Sequence, residues 1–315
     1  MAYNKCKEVI DILYSVVDVG SNTVRLVTYE IKNGVYTPVY TDCHALGLIG
    51  EVNNGTLSQN AVDSLCDTLT TFKKSINATS VFRAFATAFM RATTNADEIK
   101  EIIRKRVGIN LEILTEEQEA LFSFKGILRT LDKTHGVAID FGGGSCEFIE
   151  FSDRTPVFFT SLPFGCVQLA KKFVKGNEFP THSELNDIKN FILDKLKVLG
   201  DLKNTNQLII TGGTARAFAQ MDNFINHTKL SPSNYRFTSN SFHILYDKFS
   251  TFDNVYTDFI KSNMSNRLRT IYPGLEAINT IINFFHSKEI IISTEGVREG
   301  YLSEIVGGDS CTTHS

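Results

Sequence analysis

The sequence predicts an α/β fold in which one strand–turn–strand unit is used twice, and three observations carry that prediction. Short apolar strands alternate with amphipathic helical stretches along most of the 315 residues, the pattern of helices packed on a largely parallel sheet. A shift of 122 residues carries Asp18 onto Asp140, Gly20 onto Gly142, Ser21-Asn22-Thr23 onto Gly143-Gly144-Ser145, and Arg25 onto Glu147. Glycine-rich or small polar loops directly follow strands at 18–23, 140–145 and 211–214. A unit present in two copies also implies a cleft between the copies.

Residues 16–31 read as two strands broken at Gly20-Ser21-Asn22, a turn signal, and Val35–Leu48 as a third strand with an irregular end. Ser58 caps a helix over 59–76, where Ala61, Val62, Leu65, Leu69 and Phe72 recur at helical spacing. A strand at Val81–Ala86, a charged amphipathic helix over 95–107 and a strand at Leu111–Leu114 follow. Thr115 with Gln118 forms a capping box that opens the next helix. The pattern restarts after a polar patch at 130–135: strand, glycine turn and strand over 137–151, then a strand at Thr155–Leu162. Thr181 with Glu184 makes a second capping box, for a helix reaching about Leu199. Leu208–Thr211 is a buried strand leading into Gly212-Gly213-Thr214 and a helix. Residues 241–285 read as mostly helical with a break at Pro273-Gly274, Ile290–Ser293 as a last strand and 296–306 as a final helix.

Composition narrows the function. With 32 basic and 35 acidic residues the formal charge is −3. No global basic field exists to coat a nucleic-acid duplex, so nucleic acid is not an expected partner; a polyanion needs only locally gathered positive charge. Six cysteines without a CxxC pair point to a reduced, cytoplasmic protein. No apolar run approaches the ~18 residues of a membrane span. Lys5, Lys7, Glu8 and Asp11 break up the apolar centre that a signal peptide requires.

The candidate chemistry lies in the loops. Gly142-Gly143-Gly144-Ser145 lets successive backbone N–H groups close on an oxyanion. Gly212-Gly213-Thr214 offers a second such nest at a helix start, where the dipole favours phosphate. Neither is a Walker A motif or a dinucleotide fingerprint. Asp18 and Asp140 each end a strand at such a loop; each suits either a hydrated Mg²⁺ or the backbone N–H groups of its own turn. Arg25 and Glu147, on the returning strands, suit a phosphate-binding cation and a metal- or water-binding carboxylate. Arg83 and Arg91 flank FRAFATAFMR as further cations. Glu116, Glu117 and Glu119 read, on composition alone, as first-turn acids favoured by the helix dipole. The seven histidines form no HExxH, and Cys146 has no evident base beside it and reads as packing.

Together these residues resemble the Ppx/GppA phosphatases, the exopolyphosphatases and guanosine pentaphosphate phosphohydrolases. The resemblance runs over about 16–306. It rests on DVGSNTVRL (18–26), ATAFMR (86–91), TEEQEA (115–120), DFGGGSCE (140–147), TGGTAR (211–216), NRLRTIYPG (266–274) and EGVREGY (295–301). It implies a duplicated actin-like, ribonuclease-H-like fold with an interdomain cleft. Residues 1–127 would form the first domain, completed by a returning helix at 299–315, and 128–298 the second. Longer members carry a helical C-terminal region, so a short two-domain form is expected.

Position by position, the resemblance makes Glu119 the catalytic glutamate and assigns Asp140 and Glu147 to Mg²⁺ and water. It assigns Asp18, Ser21, Asn22, Arg25, Arg91, Gly142, Gly143, Gly144, Ser145, Gly212, Gly213, Thr214 and Arg267 to phosphate or substrate. Five positions depart from the family pattern and bear on substrate preference: Glu116 for glycine, Gln118 for an acid, Cys146 for threonine, Gln168 for arginine and Arg269 for aspartate. The implied activity is Mg²⁺-dependent hydrolysis of the terminal phosphoanhydride of inorganic polyphosphate, with orthophosphate released. Guanosine pentaphosphate hydrolysis is the enzymatic alternative, and a non-catalytic polyphosphate or nucleotide sensor the alternative of another class. Lys171, Lys172, Lys175, Lys195 and Lys197 are candidates for a basic track along polyphosphate. No membrane partner is expected, and a homodimer is the one assembly entertained.

Overall fold

The structure is a computed structural model that describes residues 12–76, 80–176, 179–200, 202 and 205–312. The readings of Lys5, Cys6, Lys7, Glu8 and Asp11, and of the last three residues of the expected returning segment, lie outside the described residues. Packing divides the chain into two compact units, one ending at Ile113 and the other beginning at Leu114.

The first unit runs β1 (Leu13–Val19), β2 (Thr23–Lys32), β3 (Val35–Ala45), a small ribbon of β4 (Val52–Asn53) and β5 (Thr56–Leu57), α1 (Gln59–Ser75), β6 (Val81–Ala86), α2 (Ala88–Arg91), α3 (Ala96–Val107) and β7 (Leu111–Ile113). Its main sheet has the order β3-β2-β1-β6-β7, with the first three strands antiparallel and β6 and β7 parallel to β1. Ser58 caps α1 by accepting the Ala61 N–H. The helical-period residues Val62, Leu65, Leu69 and Phe72 are buried with Val17, Val24 and Leu26 of the hairpin. A fully buried side chain of this kind contributes about 1.5–3 kcal/mol, which is what turns a 3.6-residue apolar stripe into a fixed helix position.

The second unit runs α4 (Glu116–Thr130), β8 (His135–Phe141), β9 (Cys146–Ser152), β10 (Thr155–Leu162), α5 (Cys166–Phe173), α6 (His182–Leu196), β11 (Gln207–Thr211), α7 (Gly213–Asn226), β12 (Tyr235–Thr238), α8 (Ser239–Ser250), α9 (Asn254–Asn263), α10 (Ile271–Phe285), β13 (Glu289–Ile292) and α11 (Val297–Thr312). Its sheet has the order β10-β9-β8-β11-β13-β12. Alternation along β8 divides the core. Val137, Ile139 and Phe141 pack with α6, α7 and α10, while Ala138 faces Ala120, Phe124 and Ile127 of α4.

The 122-residue repeat is a structural repeat. β8, β9, β10, β11 and β13 have the order and directions of β1, β2, β3, β6 and β7. Asp18 pairs across the hairpin with Arg25, and Asp140 with Glu147. The turns close alike: Gly20 N–H donates to Thr23 C=O at 3.0 Å, and Gly142 N–H to Ser145 C=O at 3.1 Å.

The packing boundary falls after Ile113, with α4 on the second sheet and α11 packed on α4. Two readings of the elements change. Pro273 and Gly274 do not break the helical stretch. They sit in the first turn of α10, where a missing N–H costs no intrahelical bond. The interruptions fall instead between α8 and α9 and between α9 and α10. β12 is absent from the sequence reading; four residues ending in a helix cap give too short a pattern to separate from a loop. Among the described residues the four classified cysteines, Cys43, Cys66, Cys146 and Cys166, are free, and no helix is long and apolar enough to cross a membrane.

Candidate active site

In the second unit the hairpin turn at Gly142–Ser145 is held from behind by α5. The carbonyl of Gly142 accepts from Cys166 N–H at 3.1 Å, and that of Gly143 from Val167 and Gln168 N–H at 3.0 and 3.2 Å. The orphan donors of the first turn of α5 are therefore satisfied by the loop's carbonyls. Gly165 makes this approach possible: a Cβ there would lie 2.3 Å from the carbonyl carbon of Gly143. Sequence reasoning did not mark Gly165, since a glycine before a helix is an ordinary event.

The second loop is as tightly placed. Gly212 has φ 115°, and a Cβ on it would meet the Phe141 carbonyl oxygen at 2.2 Å. At Gly213, the first residue of α7, a Cβ would stand 2.5 Å from both terminal nitrogens of Arg267. The expected substrate-side arginine thus lies against the start of the helix that follows the second glycine loop. Buried Thr214 is accommodated by Gly274, where a Cβ would fall 2.6 Å from the Thr214 hydroxyl.

The acids converge on the first loop. Glu119 is buried in the first turn of α4, started by the Thr115–Gln118 capping box. Glu147, on β9, is 1% exposed. Burial pushes its carboxyl well above the usual range, and repulsion from Glu119 and Asp140 adds to this; hydrogen bonds from the Ser145 and Ser161 hydroxyls oppose it. The Ser161 hydroxyl donates to Glu147 Oε1 at 2.8 Å. Asp140 keeps partial solvent contact, yet desolvation raises its carboxyl too. The Ser123 hydroxyl and the Arg216 charge oppose that rise, and Glu299 reinforces it. Glu147 is thus repelled by both Glu119 and Asp140, and buried carboxyls pushed up in this way make the cluster a candidate functional site. Among the described residues, no group of three or more His, Cys, Asp and Glu is disposed to hold a metal by itself. Two register-paired carboxylates with serine hydroxyls still suit Mg²⁺, which takes oxygen ligands and keeps several waters.

In the first unit, Asp18 and Arg25 face each other across β1 and β2. The carbonyls of Ser21 and Asn22 accept from Ile49 and Gly47 N–H, each at 2.9 Å, so the turn is fixed by the segment after β3. Arg91 ends α2 and is part-exposed. Arg83 is exposed on β6, and its guanidinium donates to the Phe82 carbonyl at 3.0 Å.

Three of the five departures from the family pattern have local explanations, and the structure explains neither Glu116 nor the Gln168 side chain. Gln118 closes the capping box of α4. Cys146 is fully buried, and burial pushes its thiol well up, which disfavours the thiolate a nucleophile needs. Arg269 donates to the Val174 carbonyl at 3.1 Å and braces the end of α5. Sequence reasoning missed Ser123, Ser161, Arg216 and Glu299. Ser123 stands four residues after Glu119, hence on the same helical face, and Ser161 is the cross-strand partner of Glu147. Those signals become readable only once register is known.

The family model described as the Ppx/GppA phosphatase family matches residues 27–308. The chain belongs to this family. Among curated relatives, exopolyphosphatase 1 of Mycobacterium leprae is 30% identical over 165 residues, covering 50% of this chain and 49% of that one. The guanosine-5'-triphosphate,3'-diphosphate pyrophosphatase of Vibrio campbellii is 27% identical over 230 residues, 69% of this chain and 46% of that one. The chain spans about half the length of the curated relatives it matches. A solved exopolyphosphatase from Cytophaga hutchinsonii superposes with a TM-score of 0.83 at 22% identity, covering 94% of this chain and 98% of that one. The α/β, actin-like fold class expected from the sequence is therefore that of the Ppx/GppA proteins.

Proposed function

We propose that this Ppx/GppA chain is an exopolyphosphatase that uses Mg²⁺ to hydrolyse the terminal phosphoanhydride of inorganic polyphosphate. The observation that carries the reading is the convergence of Glu119, Asp140 and Glu147 at the Gly142–Ser145 loop. Glu119 accepts a proton from a water, whose oxygen bonds to the terminal phosphorus as the bridging P–O bond breaks. The backbone N–H groups of the Gly142–Ser145 and Gly212–Thr214 loops, together with Arg267, bind phosphate oxygens. The family resemblance assigns Asp18, Ser21, Asn22, Arg25 and Arg91 to phosphate or substrate as well. Asp140 and Glu147, steadied by Ser123 and Ser161, would hold the hydrated cation. Mg²⁺, when bound, neutralises charge on the phosphoryl oxygens.

The name of the Vibrio campbellii relative favours a second reading, removal of the 5′-terminal phosphate of guanosine pentaphosphate. A non-catalytic sensor has less support, since it would have no use for a Glu147 repelled by both Glu119 and Asp140. A cytoplasmic site of action is part of this reading, supported by six cysteines without a CxxC pair in the sequence.

The test is orthophosphate release from polyphosphate, guanosine pentaphosphate and ATP, side by side, with Mg²⁺ and with EDTA. Glu119→Gln keeps size and hydrogen bonding but cannot take the proton, and turnover is expected to fall by about 10²–10⁴. Polyphosphate binding should persist. Near wild-type turnover in this variant, or full activity in EDTA, would defeat the assignment.

A further inference from the structure

Glu119 lies in the first turn of α4, and Ser123, fully buried, lies one turn further along the same face. The Ser123 hydroxyl donates to Asp140 Oδ2 at 2.7 Å. Ser123 lies on the helix and Asp140 at the end of β8, so this bond ties the Glu119 helix to the carboxylate beside the glycine loop. Ser161, by contrast, reaches Glu147 from the adjacent strand, a neighbour that the sheet register already fixes.

Toward its C-terminal end α4 is tied by Arg154, which donates to the Leu128 and Leu131 carbonyls at 2.7 and 2.6 Å; nearer Glu119 its contacts with the sheet are apolar. Ala120, Phe124 and Ile127 meet Ala138, Ile149 and Phe151 through apolar contacts, which have no direction. The Ser123 hydrogen bond is directional, and it sits four residues from Glu119. A group of this kind, bonded to a ligand or base rather than to substrate, tunes a site by orientation, and its loss typically costs about 10–100-fold.

We propose that Ser123 is a positioning residue: its hydroxyl orients Asp140 and, through α4, sets the position of Glu119 relative to that carboxylate. The proposal rests on the functional reading above for its kinetic consequences, but not for the bond itself. Loss of the hydroxyl leaves Asp140 Oδ2 without this donor and removes the polar tie of the helix at that turn.

The experiment uses the full chain with Ser123→Ala, Glu119→Gln and the double variant. Mn²⁺ binding is read by electron paramagnetic resonance without substrate, and orthophosphate release is measured with Mg²⁺. Ser123→Ala is expected to weaken Mn²⁺ binding about tenfold and to lower kcat by at least about tenfold, with KM changed less. In the Glu119→Gln background the further loss of kcat should be under about threefold, because a base that is absent cannot be misplaced. A merely structural role would lower the folded fraction and reduce both backgrounds equally. Mn²⁺ affinity and kcat within twofold of wild type would overturn the proposal, as would additive losses in the cycle. If the wild type binds Mn²⁺ but hydrolyses no phosphoanhydride, the functional reading fails and the Mn²⁺ comparison still decides the role at Asp140. If the wild type binds no Mn²⁺, the metal assignment fails and this proposal fails with it.

Discussion

Gly213 and Gly212 are adjacent glycines whose missing Cβ atoms serve different ends. At Gly213 the space is occupied by the Arg267 guanidinium, the far end of a flexible side chain. At Gly212 it is occupied by the Phe141 backbone, and φ is 115°. Gly213→Ala should therefore displace Arg267 and spare the fold. Loss of one charge-assisted phosphate contact, worth about 1.5–3 kcal/mol, predicts a KM for polyphosphate raised roughly tenfold or more with little change in Tm. Gly212→Ala forces both a backbone shift and an unfavourable φ, costing about 1–3 kcal/mol of stability, and should lower Tm by several degrees. Thermal melts and steady-state kinetics on the two variants separate the roles; equal Tm losses would refute the distinction. The loops of this candidate site were legible in the sequence because three of them directly follow strands; one glycine pair alone reads as an ordinary tight turn. Glu119 was not legible by itself: an acid in a first turn is favoured by the dipole anyway, and only the ordered motifs singled it out. Ser123 and Arg216 were invisible because the sequence gives a residue's helical face but not what stands opposite.

Among the elements, α4 and α11 carry a constraint that composition hides. A Cβ on Gly126 would fall 2.0 Å from the Gly296 carbonyl oxygen, and one on Gly300 would fall 1.8 Å from that of Phe122. The two helices meet backbone to backbone, with Lys125–Glu304 and Arg129–Glu295 ion pairs at 2.6 and 2.9 Å alongside. Gly300→Ala must push α11 off α4, since neither partner is a side-chain end that can swing away. We expect about 1–3 kcal/mol of destabilisation, read as a lower urea midpoint at unchanged m. A loss of turnover should exceed the loss of folded protein, because α4 carries Glu119. Full stability in this variant would show that the helices have slack. The start of α4 was readable from Thr115 and Gln118, and that of α6 from Thr181 and Glu184, because capping boxes are local chemistry. The side on which α4 would pack was not readable. Its apolar stripe fits any sheet face, and Ala120, Phe124 and Ile127 chose the second unit's sheet.

Taken as a molecule, the chain repeats one sheet topology and one hairpin turn, and it carries a net charge of −3. Any attraction for a polyanion must therefore come from local cations rather than from the overall field. On the second unit, Lys197 is already paired with Asp194 at 2.9 Å. Lys172 lies 4.0 Å from the Phe191 ring centroid, and Lys195 stands 5.5 Å from the same ring. Lys172 and Lys195 thus both lie near one aromatic ring, and with exposed Lys171 and Lys175 they are candidates for contacts to a phosphate chain beyond the terminal residues. Polyphosphate carries about one charge per phosphate, so binding that extends along the chain should weaken with salt as counterions stay bound. The expected result is a KM for long polyphosphate that rises with salt more steeply than that for tripolyphosphate. Lys172→Ala combined with Lys195→Ala should raise the long-chain KM several-fold and leave tripolyphosphate nearly unchanged. Guanosine pentaphosphate depends instead on recognition of a base, and its kcat/KM should be insensitive to these lysines. A competition assay at fixed ionic strength ranks the two substrates directly. A far higher kcat/KM for pentaphosphate than for short polyphosphate would reverse the substrate assignment while leaving Glu119, Asp140 and Glu147 in the same roles.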